Sequence, residues 1–378
     1  MRLSKSIVGQ MEVDAVAKVI LGDGYLGMGA EVGFFEKEIA QYLAVPVQNV
    51  VCINSGTAAL HLAVDAVTCP GDEVLVPSLT FLSSFQAISA SGAIPVACEI
   101  LEDTLTIDLD DAERRITSKT KAIMAVHYAS NLVNLEQLYQ LAKKYNLRVI
   151  EDAAHAFGCE YKNQKIGSIG DIVCFSFDGI KNITSGEGGA IVTSDELVLN
   201  VVKDTRLLGI EKDSEKRYLG ARSWDFEVTR QGFRYHMSNL FAAIGRVQLS
   251  RFESEFAPKR ILLYNTYLSS LANIGGIVML TYDPNSKVIP HIFPIRVIKK
   301  RDDLKNHLEQ KGIPTGIHYK PNHLLSFYSK GITLPKTESI YTEILTLPLH
   351  PGLEVSEVKM ICSIIDNFFK EDSSESIK

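Results

Sequence analysis

A chain of 378 residues is too long for one compact core and suits a large domain with a smaller one. An apolar fraction of 46% is that of a soluble globular protein, and neither a membrane-spanning apolar run nor the apolar core of a secretory signal stands out, so a cytoplasmic protein is expected. A net charge of −6 without a basic block speaks against nucleic acid as a partner.

From about residue 50 to 195, short apolar strands alternate with helical patterns, the signature of an α/β layered domain. Strands are expected over Val50–Ile53, Glu73–Pro77, Ile94–Glu99, Ala122–His127 and Arg148–Glu151, with helices over Thr57–Val67, Phe81–Ser91 and Leu135–Tyr145. Asp171–Phe177 and Ala190–Thr193 close the series as a hairpin around Lys181, and Asp195–Leu208 and Ser238–Phe256 read as helices. A mostly parallel sheet wrapped by helices accommodates this order. After about Pro258 the texture changes to a strand at Val288–Val297, a helix at Asp302–Lys311, a short strand at Ile344–Pro348 and a closing helix at Val355–Phe369. The expected division is a large α/β domain over 1–257, with an N-terminal helical segment, and a small α+β domain over 258–378. The polar tail KEDSSESIK is expected to be disordered.

The six cysteines form no CxxC pair and lie mostly in apolar strand-like segments, which points to buried reduced thiols. The nine histidines show no HExxH or similar spacing, so no metal is expected.

Chemistry gathers in three places. Asn54–Leu60 reads NSGTAAL between a strand and a helix, where small residues let backbone N–H groups approach an anion; Gly56 and Thr57 would cradle a phosphate, or Ser55 or Thr57 would simply cap the helix. Asp152, in EDAAHAFG, ends a strand with small residues beside it; it could hold a pyridine nitrogen or cap a helix. His155 beside it could reach a ring's phenolic oxygen or be structural, and Phe81 could stack on a ring or pack in the core. Ser176 could donate to a phosphate or face solvent. The third place is FSFDGIKNITSGEGG. A lysine in this apolar strand–turn segment, Lys181, is poorly explained as a solvated charge, and desolvation would leave its amine free to form a Schiff base with a carbonyl. A lysine at one end and a carboxylate at the other suggest a carbonyl cofactor with a pyridine nitrogen, namely pyridoxal 5'-phosphate.

NSGTAALHLA, GDEVLVPSLTF, EDAAHAFG and FSFDGIKNITSGEGGAIVT, followed by GFRYHMSNLFAAIGRVQL, HYKPNHL and LTLPLHPGL, resemble the DegT/DnrJ-type sugar-nucleotide aminotransferases over nearly the whole chain. The resemblance implies the fold type I architecture of pyridoxal-phosphate aminotransferases, α/β with a large, mostly parallel seven-stranded sheet and a smaller α+β domain. It also implies a homodimer with active sites at the subunit interface. By the same match Lys181 is the Schiff-base lysine and general acid/base, Asp152 the partner of the pyridine nitrogen, and Phe81 the residue stacked on the ring. Gly56, Thr57 and Ser176 become phosphate ligands, His155 takes the place of a Gln or His near the phenolic oxygen, and His323 matches a position near the sugar nucleotide.

One departure is clear. Many members read GFNYRM where this chain has Gly232 to Met237 as GFRYHM, so Arg234 and His236 stand where an asparagine for the neighbouring subunit's cofactor phosphate is expected, with Asn239 a further candidate. VHYASN also lacks the glycine usual after its histidine.

The implied reaction takes the amine of L-glutamate, leaving pyridoxamine phosphate and 2-oxoglutarate, and passes it to a nucleotide-linked keto-deoxysugar. The implied acceptor carbon is C-4 of dTDP-4-keto-6-deoxy-D-glucose, because HYKPNHL resembles the C-4 enzymes more than the C-3 ones. The alternatives are a C-3 aminotransferase of the same family and a non-catalytic sugar-nucleotide-binding regulator. Lys181 argues against the family's dehydratases, which carry histidine in its place. A fold type I enzyme for plain amino acids would need an arginine for the α-carboxylate.

Overall fold

The strands Val50–Ile53, Ile172–Ser176 and Gly189–Thr193 are buried at every position, as strands covered on both faces must be. The computed structural model describes residues 1–22, 24–221, 224–329 and 331–375. Seven strands form one sheet in the order Val50–Ile53, Gly189–Thr193, Ile172–Ser176, Arg148–Asp152, Thr120–Val126, Glu73–Pro77, Ile94–Cys98. The five from Ile172–Ser176 to Ile94–Cys98 run parallel, and Gly189–Thr193 is antiparallel to both its neighbours. The expected hairpin around Lys181 is therefore present, and the carboxyl ends of the parallel strands share one edge. Ligands in open α/β sheets bind at that edge.

The outline differs from expectation in a few places, each with a local cause. Val288–Val297 forms a strand only at Phe293–Val297, because Pro290 cannot donate to a ladder. Just upstream, Ser286–Lys287 pairs instead with Glu160–Tyr161. The helix expected to end at Phe256 runs as Asn239–Arg251, makes a π-helical turn at Phe252–Phe256, and continues as Ala257–Leu271. Pro258 lies in the first turn of that continuation, where a missing N–H costs little. Helices Gln10–Leu21 and Ala30–Leu43 occupy the N-terminal segment. A second sheet orders Ile277–Met279, Phe293–Val297 and Ile344–Leu347, all antiparallel, with its own apolar core against Ala257–Leu271. The closing helix reaches Glu375, past the expected end, so most of the supposedly disordered tail is helical; residues 376–378 lie outside the described residues. Five cysteines are buried as expected and Cys69 is exposed. Among the described residues no helix is long and apolar enough to cross a membrane.

The edge strand Val50–Ile53 leads into the NSGT turn, and a buried ionic network fixes it. Arg206 is fully buried; its Nη1 donates to Glu36 Oε1 at 2.9 Å and to the Cys52 carbonyl at 2.7 Å. Its Nη2 reaches Ser214 Oγ and Tyr218 Oη, and Tyr218 in turn donates to Glu36 Oε2 at 2.6 Å. The Cys52 N–H donates to Glu36 Oε1 at 2.8 Å, so strand and helix Ala30–Leu43 share one carboxylate. Removing one partner strands the other charge in the core. Arg206→Ala should therefore cost about 3–5 kcal/mol in urea unfolding, whereas Arg114→Ala, which removes an exposed guanidinium from an Asp111 that Arg115 also holds, should cost about 1 kcal/mol or less.

Candidate active site

Helix Gly56–Val67 starts at the sheet edge, capped by Ser55, whose Oγ accepts from the Ala58 N–H at 3.1 Å. A Cβ on Gly56 would lie 2.7 Å from Ser176 Cβ, so only glycine lets the end of strand Ile172–Ser176 come this close to the helix start. That approach sets Ser176 Oγ beside the helix N-terminus, where the first N–H groups lack intrahelical partners and the dipole favours an anion. Thr57 Oγ1 meets Ser83 Oγ at 2.6 Å. These groups line one end of a cavity of about 370 Å³.

Asp152 and Lys181 line the same cavity. Asp152 is the last residue of its strand and is buried; Oδ2 accepts from Ser84 Oγ at 2.9 Å and Oδ1 from the Ala154 N–H at 3.2 Å. Burial raises its pKa, against the pull of these donors and of Lys181. Lys181 sits in the turn after Ile172–Ser176. Burial pushes its amine down to about 8, although the charges of Asp152 and Asp178 oppose the shift. His155 is held neutral, well below the usual histidine range, by burial and then by the charges of Lys181 and His318. Its Nδ1 accepts from the Ala129 N–H at 3.3 Å, which leaves the proton on Nε2, 3.3 Å from Tyr319 Oη. Phe81 is exposed at the cavity mouth, its ring centroid 5.5 Å from that of Tyr319.

Seven of the ten expected site residues thus meet in one cavity: Gly56, Thr57, Phe81, Asp152, His155, Ser176 and Lys181. The other three do not line it. His323 is buried behind the wall, with Nδ1 at 2.7 Å from Ser78 Oγ and Nε2 at 3.1 Å from Glu338, so both ring nitrogens serve the scaffold. Arg234 and His236 lie on the segment that flanks the edge strand, where Ile53 pairs with His236 and the Tyr235 carbonyl accepts from the Asn54 N–H. The further candidate Asn239 is buried and donates to the Tyr25 carbonyl at 2.8 Å. From HYKPNHL the cavity takes instead His318 and Tyr319, which sequence reasoning passed over in favour of the second histidine of the motif. It also takes Tyr128, Asp178 and Glu187. Asp178 and Glu187 stand in the quoted FSFDGIKNITSGEGG stretch and were legible as polar neighbours of the lysine.

The residues present fit pyridoxal phosphate: a glycine-permitted cradle for a phosphate, a buried carboxylate for a ring nitrogen, and a desolvated amine for a carbonyl. At the carboxyl edge of a mostly parallel seven-stranded sheet, this set defines a pyridoxal-phosphate enzyme of fold type I. Residues 7–366 match the DegT/DnrJ/EryC1/StrS aminotransferase family, and the chain belongs to that family of PLP-dependent sugar aminotransferases. It is 33% identical over 375 residues to the dTDP-4-dehydro-2,3,6-trideoxy-D-glucose 4-aminotransferase of Saccharopolyspora spinosa, covering 97% of this chain and 96% of the relative. With the same identity and coverage it resembles the spore coat polysaccharide biosynthesis protein SpsC of Bacillus subtilis. Among solved structures it resembles S. venezuelae DesV in complex with a ketimine intermediate, at 33% identity, TM-score 0.86 and 94% coverage of both chains. It also resembles the aminotransferase TlmJ of Streptoalloteichus hindustanus, at 29% identity and TM-score 0.90, over 97% of this chain and 98% of that one.

The electrostatics of the pair can be read in the cofactor-free chain. The rate at which Lys181 is captured by an added aldehyde should rise with pH through a midpoint of about 8. Asp152 holds the amine's proton on, so Asp152→Asn should move that midpoint down; reductive trapping followed by peptide mass spectrometry measures both.

Proposed function

We propose that this chain transfers the amino group of L-glutamate to the keto carbon of a nucleotide-linked keto-deoxysugar, C-4 of a dTDP-4-keto-6-deoxyhexose. The observation that carries the chemistry is the half-buried Lys181, its amine pushed down by desolvation, lining one cavity with the buried Asp152 carboxylate. The choice of carbon and nucleotide draws support from the Saccharopolyspora spinosa relative, named for a dTDP-linked 4-keto sugar.

Bound pyridoxal phosphate supplies a carbonyl that condenses with amines and a conjugated ring that takes up electrons. Around it this chain's side chains divide the remaining tasks. Gly56 and Thr57 would offer helix N–H groups to the phosphate, and Ser176 its hydroxyl. Asp152, kept in place by Ser84 and the Ala154 N–H, would pair as a carboxylate with the ring nitrogen and hold a proton on it. Phe81 would stack on the ring, and His155 and Tyr319, paired at 3.3 Å, would lie near its phenolic oxygen. Lys181 would hold the cofactor covalently through Nζ and would be the side chain that takes and returns the proton in the amino exchange. A pKa near neutrality suits a group that must both accept and release it.

Among the described residues no arginine lines the cavity, and its acidic side chains, Asp152, Asp178 and Glu187, outnumber Lys181. A donor with two carboxylates needs cations from elsewhere. This supports a homodimer in which each active site lies at the subunit interface, and Arg234, exposed beside the Asn54 turn, is the residue we assign to reach across. The division of the chain at residue 257 into a cofactor-binding domain and a smaller domain belongs to the same reading.

Absorbance spectra test it. Pyridoxal phosphate added to the chain should give a visible band that L-glutamate bleaches and that a dTDP-4-keto-6-deoxyhexose restores. Lys181→Ala should lose the band and slow amino transfer by about 10²–10⁴-fold or more. A chain that binds no cofactor would overturn the residue roles, and a band indifferent to glutamate would overturn the donor.

A further inference from the structure

Arg260, on helix Ala257–Leu271, is 1% exposed, and among the described residues no carboxylate pairs with it. Its donors meet only backbone carbonyls: Nη1 those of Pro290 at 3.2 Å and His291 at 3.1 Å, and Nη2 that of Lys181 at 3.4 Å. Its Nε is buried without a partner. Burial pushes the guanidinium down to about 10, so at neutral pH it remains a cation. A buried charge held by carbonyl dipoles alone is expensive, and stability offers no reason to keep it. The location does offer one, because Arg260 grips the backbone of the residue that carries the reactive amine.

We propose that Arg260 is a positioning residue for Lys181: its guanidinium, bonded to the carbonyls of Lys181, Pro290 and His291, holds the lysine's turn against the Pro290–His291 segment and puts a fixed positive charge on the backbone of the residue that carries the amine. This rests on the reading of Lys181 as the anchor. The need is local. Two carboxylates, Asp152 and Asp178, favour the protonated amine, while the imidazoles facing it, His155, His291 and His318, are held neutral mainly by burial. Arg260 is the cation that opposes the carboxylates. On its own far side stand Lys5 and His350, neither of which neutralises it. A small space of about 10 Å³ is bounded by Lys5, Ser6, Lys181, Asn182 and Arg260, where the N-terminal segment meets this cluster. Asn182 and Arg260 line it, and Asn182 Oδ1 and Arg260 Nε are both buried without a partner.

The test uses the full-length chain freed of cofactor. Pyridoxal, which lacks the phosphate, is added from about pH 6 to about pH 10, adducts are fixed with cyanoborohydride, and the fraction at Lys181 is measured by peptide mass spectrometry. Arg260→Met should raise the midpoint and slow trapping at neutral pH by roughly two- to fivefold. Arg260→Lys, which keeps the charge, should hold the midpoint near that of the natural chain. Should Arg260→Met fail to fold, Arg260→Gln keeps a donor toward the carbonyls while removing the charge, with the same shift expected. A folded neutral variant labelled at Lys181 with an unmoved midpoint would overturn the proposal. Labelling that bypasses Lys181 in the natural chain would instead overturn the anchor assignment.

Discussion

The site depends on keeping the Lys181 amine out of water without leaving it stranded as a charge. An isolated ammonium in an apolar interior costs several kcal/mol, and proteins escape that cost by pairing the group or by letting it lose its proton. Here both outlets are partly open. Burial drives the amine toward neutrality while Asp152 and Asp178 pull the other way, and the balance falls near pH 8. A lysine left in solvent would be protonated and inert; one tied directly to a carboxylate would be charged and inert. The cavity places it between these limits.

Sheet topology makes that balance possible. The parallel strands deliver Asp152 and Ser176 to one edge, and the antiparallel return Gly189–Thr193 turns the Lys181 loop back over it. Close packing then does the fine placement: Gly56 allows the strand end to meet the helix start, and the Arg206–Glu36–Tyr218 network fixes the edge strand that feeds the NSGT turn. Small residues and a buried ion pair far from the reacting atoms are thereby part of the same construction.

Much of this was legible because local patterns and global fold agree. Strand Glu73–Pro77 and helix Leu135–Tyr145 fall where apolar runs and amphipathic spacing place them. Lys181 stood out because an apolar strand–turn segment is a poor home for a solvated charge. Other features depended on contacts between distant segments. Nothing in HYKPNHL tells which histidine faces the cavity; His323 turns away because Ser78 and Glu338, distant in sequence, satisfy its two nitrogens. Arg260 was invisible for the same reason. An arginine on an ordinary helical stretch reads as a surface charge until the fold shows it buried against the Lys181 carbonyl.

Family and fold fix the class of chemistry, and Phe81, His318 and Tyr319 stand together in the wall of the cavity that holds Lys181. The claim beneath all of it is that one lysine carries the cofactor. The most direct measurement is borohydride reduction of the chain loaded with pyridoxal phosphate, followed by peptide mapping of the fixed label. The account predicts a phosphopyridoxyl group on Lys181; a label fixed on another lysine, with Lys181 unmodified, would contradict it.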